Sequence, residues 1–373
     1  MVETSLYIHV PFCTHKCGYC HFFVLPDKQE LKKKYLRALE LEWQLRQETF
    51  KDKTIVSVYF GGGTPTLLDP EQIATILSWI KEMSPDCEIS LEANPESTSL
   101  EQMQRLKMAG VNRVSLGVQS LNDSLLVTLD RRHGAAVAKR AVETIYCSGI
   151  DNISIDLMYD LPGQTLLSFE ATLQEAIALP IKHLSLYNLT IEPGTAFFKN
   201  KQVLLPSLPS DETSLLMLNR AVALLQNGGF MRYEISAFAR NGAHSRHNRG
   251  YWQGRPFLGL GPSAFSYWNK KRLRNVANLN RYAEALEKGE LPIDFQEELL
   301  YPDNLHELLA IGIRLLEGVD LNEFESKWGA LPESTLKILE TLALDDYIRF
   351  QEKRITLTEK GTLFYDTVAA SII

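Results

Sequence analysis

Short apolar runs alternate with longer segments of helical periodicity from Ser5 to about Leu189. This pattern is typical of buried parallel strands that are joined by covering helices. The predicted strands are Ser5–His9, Ile55–Phe60, Glu88–Glu92, Arg113–Gly117, Ile153–Leu157 and His183–Leu189. Six strand–helix units predict an α/β fold, specifically an open (β/α)6 partial TIM barrel rather than a closed eight-stranded one.

Two of the intervening helices carry clear signals. The segment Gln29–Phe50 repeats large apolar side chains every four residues, as an amphipathic helix does. The segment Asp69–Met83 begins with Asp69 as a candidate N-cap and Pro70 at the first helical position. Because barrels of this kind place their active sites at the carboxyl ends of the strands, functional side chains are expected there.

The pattern changes twice after the barrel, which predicts three parts: a barrel over 1–205, a mixed segment over 206–294 and a helical domain over 295–373. The last part reads as two or three helices and a hairpin, Tyr347–Phe350 with Arg354–Leu357, which is typical of a winged-helix-like fold. From residue 301 onward it has seven Lys/Arg against thirteen Asp/Glu. This net negative charge would repel DNA phosphates.

Composition narrows the class of protein. The chain has 373 residues, a formal net charge of −7 and five cysteines, which does not resemble a disulfide framework. No secretory signal and no apolar run long enough to cross a bilayer is visible, so we expect a soluble cytoplasmic protein. The overall charge argues against a general nucleic-acid-binding surface. Cys87 and Cys147 are predicted to be buried structural thiols.

The chemistry-bearing motif follows the first strand, where Cys13, Cys17 and Cys20 have the spacing Cys-x3-Cys-x2-Cys. Such runs of thiolates hold [4Fe–4S] clusters, and three cysteines leave one iron open for another ligand. A zinc site is the alternative, because Cys3His is a common closed ligand set and three histidines lie nearby. These are His9, His15 and His21.

The motif resembles that of the radical S-adenosylmethionine (SAM) superfamily, and the lead-in from Tyr7 to Cys13 is similar to its oxygen-independent coproporphyrinogen oxidase-like branch. The resemblance implies a [4Fe–4S] cluster on the three cysteines, with SAM chelated to the open iron. In this class of site the protein binds and orients the cofactor and excludes water.

Polar residues and glycines stand where the predicted strands end, namely in Gly61–Thr66 and at later strand ends. Taken singly, each is as well explained by a salt bridge, a cap or a common turn. The glycine-turn amides are expected to hold a carboxylate, and a guanidinium could grip one in bidentate fashion. By the resemblance, SAM-binding roles fall on Tyr7, Gly62, Gly63, Thr64, Glu92, Gln119, Arg131 and Asp156, with Asn188 as a weaker candidate.

The stretch from Ile235 to Ala283 contains no Asp or Glu but nine Lys/Arg, interleaved with aromatic residues and with His244 and His247. This composition predicts a local anion site. A planar carboxylated tetrapyrrole fits it, since histidine can also ligate haem iron. A nucleic-acid surface and an ordinary solvated surface remain open from the residues alone.

The motif His247-Asn-Arg-Gly-Tyr-Trp252 resembles that of HemW-type haem chaperones. The resemblance to this family extends over nearly the whole chain. The resemblance implies haem as cargo held near His247, and delivery to recipient haem proteins, including membrane-associated respiratory enzymes. Phe22 stands where the oxidases have a fourth cysteine, which favours the chaperone. His21 departs from the aspartate that is usual in the chaperones.

Two enzyme hypotheses stay beside the chaperone. An oxygen-independent coproporphyrinogen III dehydrogenase would use a 5′-deoxyadenosyl radical on substrate propionates, which would suit the same basic segment. A radical SAM RNA-modifying enzyme is the third hypothesis. The chaperone is favoured over both, while the recipient protein and the oligomeric state are not determined by the sequence.

Overall fold

The computed structural model describes residues 1–373 and contains one twelve-stranded sheet. The strands of the first half are β1 (Val2–Val10), β2 (Phe12–Cys13), β3 (Leu25–Pro26), β4 (Lys53–Gly62), β5 (Met83–Ala93), β6 (Arg113–Gln119), β7 (Asn152–Tyr159) and β8 (His183–Asn188). The helices between them are α1 (Gln29–Arg46), α2 (Pro70–Trp79), α3 (Leu100–Met108), α4 (Asp123–Thr128), α5 (Ala135–Cys147) and α6 (Leu166–Ala178). Strands β1, β4, β5, β6, β7 and β8 pair in parallel in that order, which confirms the predicted open barrel.

The middle of the chain extends this sheet at both edges. Its helices are α7 (Ala196–Lys199), α8 (Lys201–Leu204), α9 (Asp211–Asn227), α10 (Arg246–Trp252) and α11 (Leu279–Glu287). Its strands are β9 (Met231–Glu234), β10 (Ala237–Ala239), β11 (Phe257–Leu260), β12 (Phe265–Trp268), β13 (Lys271–Asn275) and β14 (Ile293–Glu298). Strand β11 lies parallel to β1, with Tyr7 opposite Gly259, so it adds a seventh parallel strand that was not predicted.

The segment 206–294 shares one hydrophobic core with the barrel, from Leu6 to Leu286. A buried carboxylate joins the two. Glu42 on α1 accepts hydrogen bonds from the hydroxyl of Tyr282 at 2.6 Å, the amide of Gly261 at 2.8 Å and the side chain of Asn275 at 2.7 Å. Because a buried charge is tolerated only when it is hydrogen-bonded, this network ties α1 to the segment that follows β11.

The last part of the chain has its own core of fifteen buried residues between Leu305 and Ile372. Its elements are α12 (Asp303–Gly312), β15 (Val319–Asp320), α13 (Leu321–Trp328), α14 (Glu333–Leu344), β16 (Ile348–Gln351), β17 (Arg354–Leu357), α15 (Glu359–Leu363) and α16 (Tyr365–Ile372). Helices and a three-stranded sheet in the order β15-β17-β16 form the predicted winged-helix-like arrangement.

Two local predictions were wrong. The helix predicted over Asp69–Met83 ends at Trp79, because Met83 already begins β5. Its start was right, since Asp69 and Gln72 form a capping box. Cys87 is buried, but Cys147 is exposed, since the buried residues of α5 end at Ile145.

No helix is both long enough and apolar enough to span a bilayer.

Candidate functional site

The three cysteines lie on a loop that leaves the sheet directly after β1. A two-residue parallel ladder closes the base of this loop, with Phe12 opposite Leu25 and Cys13 opposite Pro26. All three thiols are free and half-buried. They face a cavity of about 400 Å³, called the cysteine cavity below. The loop between α4 and α5 contributes Arg131 to its wall, and the strand ends contribute Gly62, Gly63, Glu92, Asn94, Gln119, Asp156 and Asn188.

The side chains around the thiols do not form a zinc site. No three His, Cys, Asp or Glu groups converge on a single ion position, as tetrahedral zinc requires. His9 is hydrogen-bonded through Nδ1 to the Tyr7 hydroxyl and through Nε2 to the carbonyl of Phe23. His15 bonds Asp130 through Nε2 at 2.6 Å. These two histidines therefore have other partners, while His21, next to Cys20, has none. The Cys-x3-Cys-x2-Cys spacing is the ground on which a cluster is preferred.

Arg131 places a positive charge beside the thiols. Its Nη1 lies 3.5 Å from Cys17 Sγ, and its Nη2 donates to Asn94 Oδ1 at 2.7 Å and to the carbonyl of Gly117 at 2.6 Å. Its Nε is buried and has no acceptor in the protein. A buried donor without a partner costs free energy. The arginine is thus suited to a negatively charged occupant such as the carboxylate of SAM or a thiolate-bound cluster.

Two carboxylates, on strands β5 and β7 at either side of β6, favour a positively charged occupant. Glu92 accepts hydrogen bonds from the Tyr59 hydroxyl at 2.9 Å and from the Gly62 amide at 3.0 Å. Burial and then the charge of Asp156 raise the pKa of Glu92 to about 7, and burial raises the pKa of Asp156 to about 6. A cation between them would relieve both penalties. The ammonium and sulfonium groups of SAM fit this requirement.

The glycine turn after β4 does not work as predicted, because its amides are already used within the protein. Gly63 donates to the carbonyl of Val10 and Thr64 to that of Phe12, while the Gly62 amide goes to Glu92. Gly62 and Gly63 border the cysteine cavity, but Thr64 is buried behind Cys13, 3.6 Å from its sulfur. Gly62 has φ +108, and a Cβ there would lie 2.4 Å from the His9 ring. Glycine is therefore required by space as well as by conformation.

The remaining predicted cofactor residues divide between two places. Gln119, at φ 68, and Asn188, whose amide donates to Asp160 at 2.5 Å, both border the cysteine cavity. Tyr7 and His247 do not. Tyr7 faces a second cavity, and His247 is 1% exposed beneath it.

The second cavity, about 550 Å³, lies between β1, the strands β11 to β13 and helix α12. It is called the aromatic cavity below, because rings form most of its wall. Its lining includes Tyr7, Phe22, Phe23, Tyr251, Trp252, Phe257, Phe265 and Tyr267. It also contains His9, His21, Arg255 and Arg272, and Leu308 and Ile311 of α12 close it from the C-terminal domain. Its size and mostly apolar wall are those of a small-molecule site.

His247 is part of the protein interior rather than of the cavity wall. Its Nδ1 lies 3.0 Å from the hydroxyl of Ser57, and its Nε2 lies 2.7 Å from the hydroxyl of Tyr251. Burial lowers its pKa to about 3, so the ring is neutral. Both nitrogens are therefore occupied, and a role in ligating iron stays a prediction that this arrangement does not support.

The basic segment is not the free anion site that its composition predicted. Six of its nine cations form ion pairs with carboxylates that lie elsewhere in the chain. The pairs are Arg246–Asp86, Arg249–Glu317, Arg255–Glu3, Lys271–Glu298, Arg272–Glu297 with Glu307, and Arg274–Asp294. Because the partners are distant in sequence, a local count of charges could not detect them. The pairing lowers the net positive charge that the segment offers to any anion, a nucleic acid and a carboxylated tetrapyrrole alike.

Sequence reasoning overlooked two side chains of the cysteine cavity region. Asn94 donates to Thr64 Oγ1 at 2.8 Å and accepts from Arg131, so it orients the guanidinium. Tyr59 holds Glu92 in place. Asn94 could have been found, because it follows the end of β5 just after Glu92. Tyr59 gave no such signal, since it lies inside a strand.

Comparison with known proteins agrees with this geometry. A model of the Radical SAM superfamily matches residues 7–176, and one of the HemN C-terminal domain matches residues 301–364. Heme chaperone HemW of Bacillus subtilis is 33% identical over 99% of this chain and 99% of its own length. HemW of Mycobacterium tuberculosis is 34% identical over 99% of this chain and 94% of its own length. The structure of Escherichia coli coproporphyrinogen III oxidase (HemN) has a TM-score of 0.86 at 26% identity, covering 100% of this chain and 90% of that one.

The open barrel and the three-cysteine cavity, with the matching superfamily model, define a radical SAM protein. This class implies a [4Fe–4S] cluster and SAM, which the cysteines, Arg131 and the two carboxylates fit. Within the class, the chain belongs to the family of HemW haem chaperones.

Proposed function

We propose that this protein is a haem chaperone that binds haem and delivers it to haem proteins. The observation that carries the proposal is the aromatic cavity of about 550 Å³, which lies next to the cysteine cavity and is lined by rings suited to a flat apolar macrocycle. The names of the full-length relatives support the same reading.

In this proposal Cys13, Cys17 and Cys20 hold a [4Fe–4S] cluster, and the strand-end residues bind and orient SAM. The carboxylates Glu92 and Asp156 would face the positively charged groups of SAM, and Arg131 would face its carboxylate. Recipients of the haem are proposed to include membrane-associated respiratory enzymes.

The alternative is an oxygen-independent coproporphyrinogen III dehydrogenase. The observation that favours it is the close structural similarity to the E. coli oxidase, with a TM-score of 0.86 over the whole chain. Phe22 in place of a fourth cysteine distinguishes this chain from the oxidase pattern. The same cavity would then accept a substrate rather than a cargo.

One experiment separates the two. The full chain is reconstituted anaerobically, its iron and sulfide are counted, and it is titrated with haemin and assayed with coproporphyrinogen plus SAM. We expect one haem per chain, transfer of that haem to a haem-free cytochrome, and no decarboxylation. Decarboxylation with SAM turnover would overturn the chaperone, and so would the absence of haemin uptake.

A further inference from the structure

The aromatic cavity holds two histidines in its wall, and they differ in what their ring nitrogens do. His9 is 5% exposed and has both nitrogens hydrogen-bonded, to Tyr7 and to Phe23. His21 is exposed, and neither of its nitrogens has a hydrogen-bond partner in the protein. His21 is therefore the cavity histidine with a lone pair available for a ligand.

The position of His21 is also defined by its neighbours. It follows Cys20 directly, on the loop whose base is closed by the β2–β3 ladder, and it borders both the cysteine cavity and the aromatic cavity. Its ring lies 4.7 Å from that of Phe22, which continues the aromatic wall. A ligand that enters the aromatic cavity thus meets an imidazole at the edge of the cysteine loop.

The other two candidates for a metal-ligating imidazole are less suited. His247 lies outside the cavity, with Nδ1 on Ser57 and Nε2 on Tyr251, so that ligation through either nitrogen would break the hydrogen bond that this nitrogen makes. His244 stacks on Tyr233 at 4.1 Å and contacts Arg249, and it does not border the aromatic cavity.

We propose that His21 is the axial ligand of haem iron in the aromatic cavity, and that His247 positions Tyr251 in the cavity wall without touching iron. The inference rests on the proposed function, because it names the ligand for that cargo. A neutral imidazole is the commonest protein ligand of haem iron, and the rings of the cavity would cover the faces of the macrocycle. No redox change is required, since binding forms only an iron–nitrogen bond.

The test uses the anaerobically reconstituted full chain and haemin as the probe. Wild type, His21→Ala, His247→Ala and His244→Ala are titrated by Soret absorbance, and the iron coordination is read by electron paramagnetic resonance. Loss of an outer partner already weakens metal sites tenfold to a hundredfold, so we expect His21→Ala to lose at least about tenfold in haemin affinity. Free imidazole should restore the ligated spectrum. His244→Ala, the control at a half-buried histidine that does not border the aromatic cavity, should stay within about twofold of wild type.

The outcomes separate the ligand from the function. His21→Ala with unchanged affinity and spectrum overturns the assignment of His21, while the chaperone proposal stands. If the spectroscopic signature of an axial histidine is lost in His247→Ala alone, and this variant keeps its melting temperature, the assignment of His21 is overturned as well. Failure of wild type to bind haemin refutes the proposed function instead. Iron and sulfide are counted in every variant, and cluster-free wild type is the reference that separates an effect through the cluster from loss of the ligand.

Discussion

The two cavities lie side by side but differ in whether their charged side chains are paired within the protein. In the cysteine cavity Glu92, Asp156 and Arg131 form no direct ion pair: the two carboxylates have raised pKa values, and Arg131 has a buried nitrogen without an acceptor. In the aromatic cavity the charged groups are already paired, as Arg272 is with Glu297 and Glu307. The first cavity is thus suited to a charged, metal-containing occupant, and the second to a flat apolar one whose affinity comes from buried surface.

The strongest test of the comparison removes a sulfur from the cysteine cavity. Cys17→Ser takes away one of three thiolate ligands, so we expect iron and sulfide to fall from roughly four per chain to near zero. Iron counting and visible absorption measure the loss. Cys147→Ser is the matched control, because that cysteine is exposed on α5, far along the chain from the motif. A variant that keeps its full cluster would show that the cysteine cavity is not the cluster site.

A second change replaces the charge of one buried carboxylate. Glu92→Gln keeps one acceptor oxygen, for the Gly62 amide, and its amide NH2 can donate to the Tyr59 hydroxyl. It removes the negative charge that faces a cation, which costs about 1.5–3 kcal/mol for a charge-assisted bond, or tenfold or more in SAM affinity. Calorimetric titration of SAM into the reconstituted protein measures it. The iron content should not change. Unaltered affinity would mean that SAM does not lie between the two carboxylates.

The same substitution has a signature in the SAM-free protein. The pKa of Glu92 is raised from 4.5 to about 7, so the folded state keeps a proton that the unfolded state releases. The free energy of unfolding should therefore fall as the pH rises from 4.5 to 7, and the fall should be smaller in Glu92→Gln. Urea unfolding across that range measures it. The raised pKa of Asp156 also lowers the free energy of unfolding as the pH rises, but it does so in wild type and in Glu92→Gln alike, so the difference between the two proteins remains visible.

The smallest expected effect concerns a cation of the aromatic cavity. Arg272→Gln breaks pairs that are partly exposed, so the free energy of unfolding should fall by under about 1 kcal/mol per pair, and haemin affinity by less than about fivefold. Arg274→Gln is the control on the same strand, since Arg274 pairs with Asp294 and does not border the cavity. A large loss of haemin binding for Arg272 alone would mean that this guanidinium binds a propionate, and the contrast between the cavities would weaken.

Much of the barrel could be predicted, because its strands are short apolar runs and the cysteines have a diagnostic spacing. Glu92, Gln119, Asp156 and Asn188 reach the cysteine cavity because the carboxyl ends of parallel strands meet at one edge of the sheet, whereas Arg131 comes from the loop between α4 and α5. Features that depend on distant partners could not be predicted. The parallel pairing of β11 with β1 and the ion pairs of the basic segment both join residues far apart in the chain.

The errors at the site have the same cause. The turn at Gly62 and Gly63 looked free to bind a ligand, but its amides bond Glu92 and Val10, which a linear reading does not bring near. His247 looked like a ligand because of its motif, yet Ser57 on β4 occupies its Nδ1. A motif identifies which residues a family keeps together, while the partners of each side chain depend on the packing of the whole sheet.

The position of β1 between β4 and β11 affects how the chain folds while it is being synthesised. One edge of β1 is covered by β4 soon after it is made, but its other edge pairs with Phe257–Leu260, about 250 residues later. At typical ribosomal speeds of about 5–20 residues per second, that edge stays open for roughly 12–50 s. An unpaired strand edge is a template for aggregation. During this time the nascent chain is therefore prone to aggregate, and the cysteine loop is attached to an incomplete sheet.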